Sequence, residues 1–396
     1  MTDTPSSHGI EGRLTIVFAI ACGLMVANLY YAQALIGEIA PALGLHGRTA
    51  ALAVTVTQLG YGAGLFLIVS LADLVENRRL ILMMVAGSGI GLAGMFVSRG
   101  AAGFIAFSFV TGFCSVGAQI MVPLAAHLAP DERRGQIVGN VMAGLITGIM
   151  LARPIANGLA AVAGWRAIFA SAAVAMAALG MVLARMLPVY RPQSTLRYGQ
   201  TLASSLSLLV RTPMVRRRTA YQTLIFATFN LFWTAVPLLL ARRFGLGQFG
   251  IALFALAGAG GALAAPLAGR LGDRGYVRLG TAGALLAAVA ALLTSLWAVD
   301  MHMLLLLGLA AVLLDAATQF NQVLGQRVLF SVVPKARGRI NASYMTVVFI
   351  GAACGSTLAS YTFYEGGWPA TAWTGVAIAS SAFLLFLTEP REAVAG

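Results

Sequence analysis

Apolar residues run through this chain in long stretches parted by short polar turns, and crossing a hydrocarbon layer takes about 20 such residues in a helix. Laid along the sequence, that ruler gives twelve runs, with cores at 14–36, 50–72, 80–97, 101–126, 137–160, 167–187, 219–240, 249–271, 279–299, 302–326, 341–364 and 370–388. The runs are continuously apolar and lack the alternation of membrane barrel strands. Helix is the form they predict, because lipid offers no partner to a free backbone N–H or C=O. One long polar stretch interrupts them. Arg185 to Arg218 carries seven arginines (Arg185, Arg191, Arg197, Arg211, Arg216, Arg217, Arg218), three prolines and no acid. It divides the chain into an N-terminal half, 1–187, a linker, 188–218, and a C-terminal half, 219–396.

The two halves repeat each other. Asn28-Leu29-Tyr30-Tyr31 in the first run returns as Asn230-Leu231-Phe232-Trp233 in the seventh, and Ala72-Asp73 after the second returns as Gly272-Asp273 after the eighth. Pro130-Asp131-Glu132-Arg133-Arg134-Gly135 returns as Pro334-Lys335-Ala336-Arg337-Gly338, and Gly164-Trp165 as Gly367-Trp368. The offsets are 202, 200, 204 and 203 residues, in the same order along the chain. Six runs per half is an even number, so both halves enter from one side and the repeat is parallel, about an axis along the membrane normal.

Composition fits this pattern and narrows it. With 59% hydrophobic and 10% charged residues and a mean hydropathy of +0.86, the chain cannot cover itself as a soluble globule. The net charge of +13 does not mark a nucleic-acid binder, because the basic residues lie in short turns rather than on one polar domain. With both termini cytoplasmic, twenty Lys and Arg fall on inside segments and five on outside loops, which predicts that orientation in a cell inner membrane. The first run is too long for a signal-peptide core and reads as a retained span. Cys22, Cys114 and Cys354 each lie inside a run and read as small buried residues, and the four histidines show no metal-ligand spacing. No Gly-Lys-Ser/Thr phosphate loop follows any of the glycines. Gly87 to Gly91, Gly144 to Gly148 and Gly351 to Gly355 have the spacing that lets helices approach closely.

Twelve spans as six plus six, a basic central loop, and acid-and-arginine turns after spans two and eight resemble the major facilitator superfamily. Gly269, Asp273, Arg274 and Arg278 match that family's cytoplasmic signature, and Asp73, Arg78 and Arg79 keep part of it in the first half. The Ala27-Asn28-Leu29-Tyr30-Tyr31-Ala32-Gln33 run is similar to one in bacterial twelve-span drug:proton antiporters. The resemblance implies an all-α membrane fold of two six-helix halves around a cavity lined by spans one, four, seven and ten. It also implies proton-coupled export of a small organic compound by rocker-switch alternating access, with no cofactor and a monomer sufficient. Import on the same scaffold is the alternative. A channel is disfavoured by the twofold repeat and a membrane enzyme by the lack of a catalytic cluster.

Polar residues inside spans are the site candidates. Asn28 and Tyr31, and Asn230 and Trp233, are spaced to share a helical face and line the cavity, or else to pack and bond between helices. Thr111, Ser115 and Gln119 form a stripe in span four. Span ten carries Asp315, Gln319 and Gln322, with Asn321 beside them, and Asp315 lies roughly 20 Å from His302 along the helix, near mid-bilayer. A carboxylate there predicts proton coupling. Arg153 in span five either snorkels to the outer interface or faces the cavity, to meet Asp315 or an anionic substrate. At the cytoplasmic face Asp73 and Asp273, with Arg133, Arg134, Arg274 and Arg337, form a candidate gate.

Overall fold

The computed structural model describes residues 7–45, 49–130, 132–192, 197–258, 260–261, 264–332 and 337–389. Among them the regular structure is helical: α1 (Ser7–Ala27), α2 (Tyr31–Ala34), α3 (Ile36–Ala42), α4 (Leu52–Gly64), α5 (Asn77–Val97), α6 (Ala101–Cys114), α7 (Gly117–Leu128) and α8 (Arg134–Ala163). There follow α9 (Arg166–Met186), α10 (Tyr198–Arg211), α11 (Pro213–Phe244), α12 (Gln248–Gly258), α13 (Ala264–Asp273), α14 (Val277–Asp300), α15 (Leu304–Val332) and α16 (Arg337–Leu387). Among the described residues nine helical stretches are long and apolar enough to cross a membrane. They become twelve passes once the kink at Gly367 divides α16 and the broken helices of the first and eighth passes are added.

The breaks have local causes. At the end of α1, Leu29 N–H bonds Val26 C=O at 3.2 Å and Tyr30 N–H bonds Ala27 C=O at 3.0 Å, so the chain tightens into i→i+3 turns before α2 resumes. Pass two widens instead, into a π-helical turn at Leu65–Val69. The repeated Gly-Trp pair marks a repeated corner. Gly164 (φ 77°) and Gly367 (φ 64°) take backbone conformations that side chains resist, and the tryptophan after each packs inward, Trp165 on Phe104 and Phe169 and Trp368 on Phe232.

Small residues set the closest approaches. A Cβ on Gly144 or Gly148 of α8 would collide with the α1 backbone at Ala19 and Gly23. On the other side of the repeat, Gly351 and Gly355 of α16 meet α11 at Thr223 and Ala227 in the same way. Dispersion at such crossings replaces the hydrophobic drive that lipid does not supply. Of the three cysteines, Cys22 and Cys114 are buried, whereas Cys354 is exposed on the outside of α16.

The linker is not a plain basic loop. Pro213 takes the first position of α11, where its missing N–H costs nothing, so the seventh pass begins earlier than its apolar run. Arg216, Arg217 and Arg218 therefore ride on helix, and Arg218 turns inward. Its Nη2 lies 2.9 Å from Glu389 Oε1 and its Nη1 donates to Thr281 at 2.7 Å. Helix α10 bridges the halves, since Tyr198 donates to the Leu67 carbonyl of the second pass and Ser204 accepts from Arg339 of the eleventh.

Candidate functional site

Where the halves meet, the buried interior is polar. Gln33 in α2 donates to Asn230 Oδ1 (3.3 Å) and Thr234 Oγ1 (3.0 Å) of α11, and Gln58 of α4 donates to the same Asn230 oxygen at 2.6 Å. Ser356 of α16 donates to Gln58 Oε1 at 2.9 Å and receives the Thr234 hydroxyl at 3.3 Å. Asn230 spends its own N–H on the Phe226 carbonyl one turn back. Each of these side chains is 0–2% exposed, so the set is sealed and its polar atoms must satisfy one another.

A charged layer lies against this network. Arg153, 6% exposed, donates from Nη2 to Gln33 Oε1 at 3.1 Å. It therefore faces the interior and does not snorkel. Its guanidinium carbon lies 4.9 Å from the ring centre of Tyr30, 5.2 Å from Phe229 and 4.4 Å from Trp233, a box of π-faces suited to a cation. Trp233 in turn donates its indole N–H to Asp315 Oδ1 at 2.6 Å. The indole thus stands between the two charges, which interact without a direct ion pair among the described residues. The seventh pass supplies Trp233, the fifth Arg153 and the tenth Asp315, so this layer needs both halves to exist.

The other expected cavity residues go elsewhere. Because α1 ends at Ala27, Asn28 and Tyr31 do not share one continuous helical face. Asn28 points at Met176 of α9, 3.8 Å away, and its Oδ1 has no partner among the described residues; Tyr31 is buried outside the network. Gln33, five residues on, takes the central place. Gln119 donates to Tyr61 OH at 3.2 Å within the first half, and Thr111 and Ser115 bond to Met95 and back to the Thr111 carbonyl. Gln322 accepts from Gln222 at 3.4 Å and Asn321 donates to Gln222 at 2.7 Å, a second cluster nearer the chain ends. Gln319 is half-buried on α15 outside both clusters.

At the face that carries the linker, Asp73 feels Arg339 of the other half, while its partly buried position raises its carboxyl pKa above the ordinary value. Asp273 does not reach across: it pairs with Arg327 of α15 in its own half, both groups exposed, because α13 and α15 end side by side. Arg133 and Arg274 are exposed, Arg134 donates to the Ala126 carbonyl at 2.9 Å, and the Arg337 side chain lies outside the described residues. Toward the opposite face Leu238 approaches Gly37, and Thr55 and Thr357 share a hydrogen bond at 3.0 Å.

Two six-pass halves enclosing a sealed polar centre define a secondary transporter. The sequence profile of the Major Facilitator Superfamily matches residues 16–221 and again 219–395, one copy per half, and the chain belongs to that superfamily. It is 38% identical over 377 residues to the uncharacterized transporter YgaY of Escherichia coli O157:H7, covering 95% of each chain. With the probable transporter SCO4007 of Streptomyces coelicolor it shares 34% over 373 residues, 92% of this chain and 85% of that one. Two solved structures share the fold. The human organic anion transporter MFSD10 aligns at a TM-score of 0.68 and 18% identity, covering 95% of this chain and 99% of that one. An inward-facing, occupied bacterial homologue of the human lysosomal transporter Spinster aligns at 0.74 and 14%, covering 96% and 97%.

Gln33, Gln58, Thr234, Ser356, Tyr30 and Phe229 were not singled out by spacing. Gln33 and Gln58 carry a signal, since a glutamine inside an apolar run has to find a partner. The others are single small polar or aromatic residues of kinds that abound on helix faces.

Proposed function

We propose that this protein is a proton-coupled secondary transporter that exports a small organic compound by alternating access, with Asp315 carrying the proton. The supporting observation is Asp315 itself: an acid 9% exposed within the tenth pass, bonded to Trp233 of the seventh beside Arg153 of the opposite half. Protonating it changes the charge balance across the plane on which the halves move, and a group can drive a conformational change only through such a difference between states. The central network fills the place where the exporting reading puts cargo. Asp73 and α10 act at the cytoplasmic face as ties between the halves, and both termini and the linker lie in the cytoplasm of a bacterial inner membrane. A cysteine placed at Ser207 then escapes a membrane-impermeant thiol reagent on intact cells.

The test is proton movement in proteoliposomes holding a trapped pH dye, challenged with small aromatic anions, cations and neutral compounds. Wild-type protein moves protons with at least one class, and Asp315→Asn abolishes this while exchange of one labelled cargo molecule for another persists. Wild-type coupling in Asp315→Asn would sink the assignment of the proton to Asp315, and absence of coupling with every class would sink the transport reading. The sign of proton and cargo movement under imposed gradients reports direction.

A further inference from the structure

Arg153 is buried and under-bonded. A guanidinium carries five N–H donors, and among the described residues the acceptor provided is Gln33, while Nε, fully buried, has none. The π-faces of Tyr30, Phe229 and Trp233 surround the group, and Asp315, the nearby carboxylate, is held instead by the Trp233 indole. A planar cation surrounded by aromatic rings accepts a ligand best in its own plane, along an N–H edge. The group that fits two parallel N–H donors is a planar carboxylate.

We propose that the cargo is a small aromatic monocarboxylate, its carboxylate on the Nε and Nη2 edge of Arg153 and its ring beside the aromatic cluster that holds the guanidinium. The proposal rests on the transport reading of the same site and adds the substrate class. The cost of unbalanced charge in a buried site points to the partner of that anion. Arg153 and an ionised Asp315 sum to zero, and a cargo carboxylate would leave one uncompensated negative charge in a sealed interior, where isolated charge is costly. A proton on Asp315 restores neutrality. The ionisable groups facing Asp315 are Arg153 and Tyr30; a phenol already holds its proton at neutral pH and an arginine keeps its own, so the acid is the group left to take one. Anion and proton therefore load together and travel in one direction, in place of the exchange that the resemblance to drug:proton antiporters implies. Export then draws on the outward gradient of the carboxylate itself.

The probes are benzoate, its neutral isostere benzamide and the cation benzylamine, titrated into purified protein by calorimetry. Benzoate binds saturably, and benzamide and benzylamine bind at least about tenfold more weakly, the loss expected for a charge-assisted hydrogen-bonded pair. Arg153→Gln loses benzoate binding by a similar factor, and Arg153→Lys, which keeps the charge without the fork, falls between. If Arg153→Gln fails to fold, Arg153→Lys and the ligand series decide. Proton movement is read with benzoate itself, against protein-free vesicles, which report the neutral acid crossing lipid unaided. Benzoate binding that needs Arg153 but comes with no proton movement would refute the coupling reading alone. Proton-coupled transport of benzylamine would keep that reading and overturn this proposal. So would benzamide binding as tightly as benzoate, unchanged benzoate affinity in Arg153→Gln, or no benzoate binding to wild type.

Discussion

Replacing Glu389 with Gln changes one charge at nearly constant volume, at a place where the seventh, ninth and twelfth passes are tied together. Arg218 and Glu389 are 1% and 0% exposed and meet at 2.9 Å; Tyr221 OH donates to the second carboxylate oxygen at 3.3 Å, and Thr281 takes the other arm of the guanidinium at 2.7 Å. In Glu389→Gln the amide oxygen still accepts from Arg218, but the cation is left in the interior without its counter-charge. Breaking a buried pair from one side costs about 3–5 kcal/mol, and the surviving hydrogen bond places this variant near the lower end. Removing both charges, as in Arg218→Met with Glu389→Leu, recovers most of the loss, because the cost lies in the orphaned charge rather than in the absent pair. Unfolding in mixed micelles with increasing SDS measures it, followed by a thiol-reactive dye on Cys22 and Cys114, which are buried until the chain opens. Cys354→Ser first removes the exposed thiol. A Glu389→Gln variant within about 1 kcal/mol of wild type, or a double variant no better than the single one, would refute the reasoning.

At the helix crossings, Gly148→Val and Gly355→Val each force a side chain into the backbone of the facing helix, with a loss of about 1–3 kcal/mol or more. Gly158→Ala, which meets nothing within 4 Å, leaves stability unchanged or raises it by up to about 1 kcal/mol in the same assay, and equal losses at all three positions would discredit the packing argument. Asp73, its carboxyl raised above the ordinary range chiefly by desolvation, is attracted to Arg339 only while ionised, so falling pH loosens that tie before it protonates ordinary aspartates. Spin labels at Leu128 and Val332, one per half, should move apart as pH drops, and Asp73→Asn should show the wider distance throughout; a pH-independent distance in wild type would make Asp73 a loop residue only.

Much of the fold was legible because its signals are long. A run of about twenty apolar residues survives any error in local preference, and four paired motifs at nearly one offset report a repeat that no single residue could. Asp315 and Arg153 were legible for a related reason: a charge inside such a run has few uses. What spacing could not supply was orientation about the helix axis. Asn28 and Tyr31 are three apart, yet the turns at Leu29 and Tyr30 break the helix between them and hand the central place to Gln33. Arg218 reads as a loop charge in the sequence because its partner, Glu389, lies 171 residues away and the α11 start at Pro213 is set by capping rather than hydropathy. Asp273 was matched to Asp73 by the repeat, but pairing depends on which arginine is nearest, and Arg327 has no counterpart in the first half's motif.

The repeat holds at the level of backbone and fails at the level of charge, and that failure is what can make the protein work. Gly148 crosses Gly23 as Gly355 crosses Ala227, so the two halves present similar surfaces to each other. On that scaffold the fifth pass brings Arg153 to the centre, and its counterpart in the repeat, the eleventh, brings Ser356. Both side chains reach the amide network, Arg153 through Gln33 and Ser356 through Gln58, yet only the first brings a charge. Span four, the counterpart of span ten, has no acid to match Asp315. The cation therefore belongs to one half and the carboxylate to the other, with Trp233 between them. Their attraction depends on how the halves sit, whereas a pair within one half would move as a rigid unit and feel no change. Any proton or anion that alters this balance biases the relative position of the halves by the difference in interaction between states, which is the requirement for coupling.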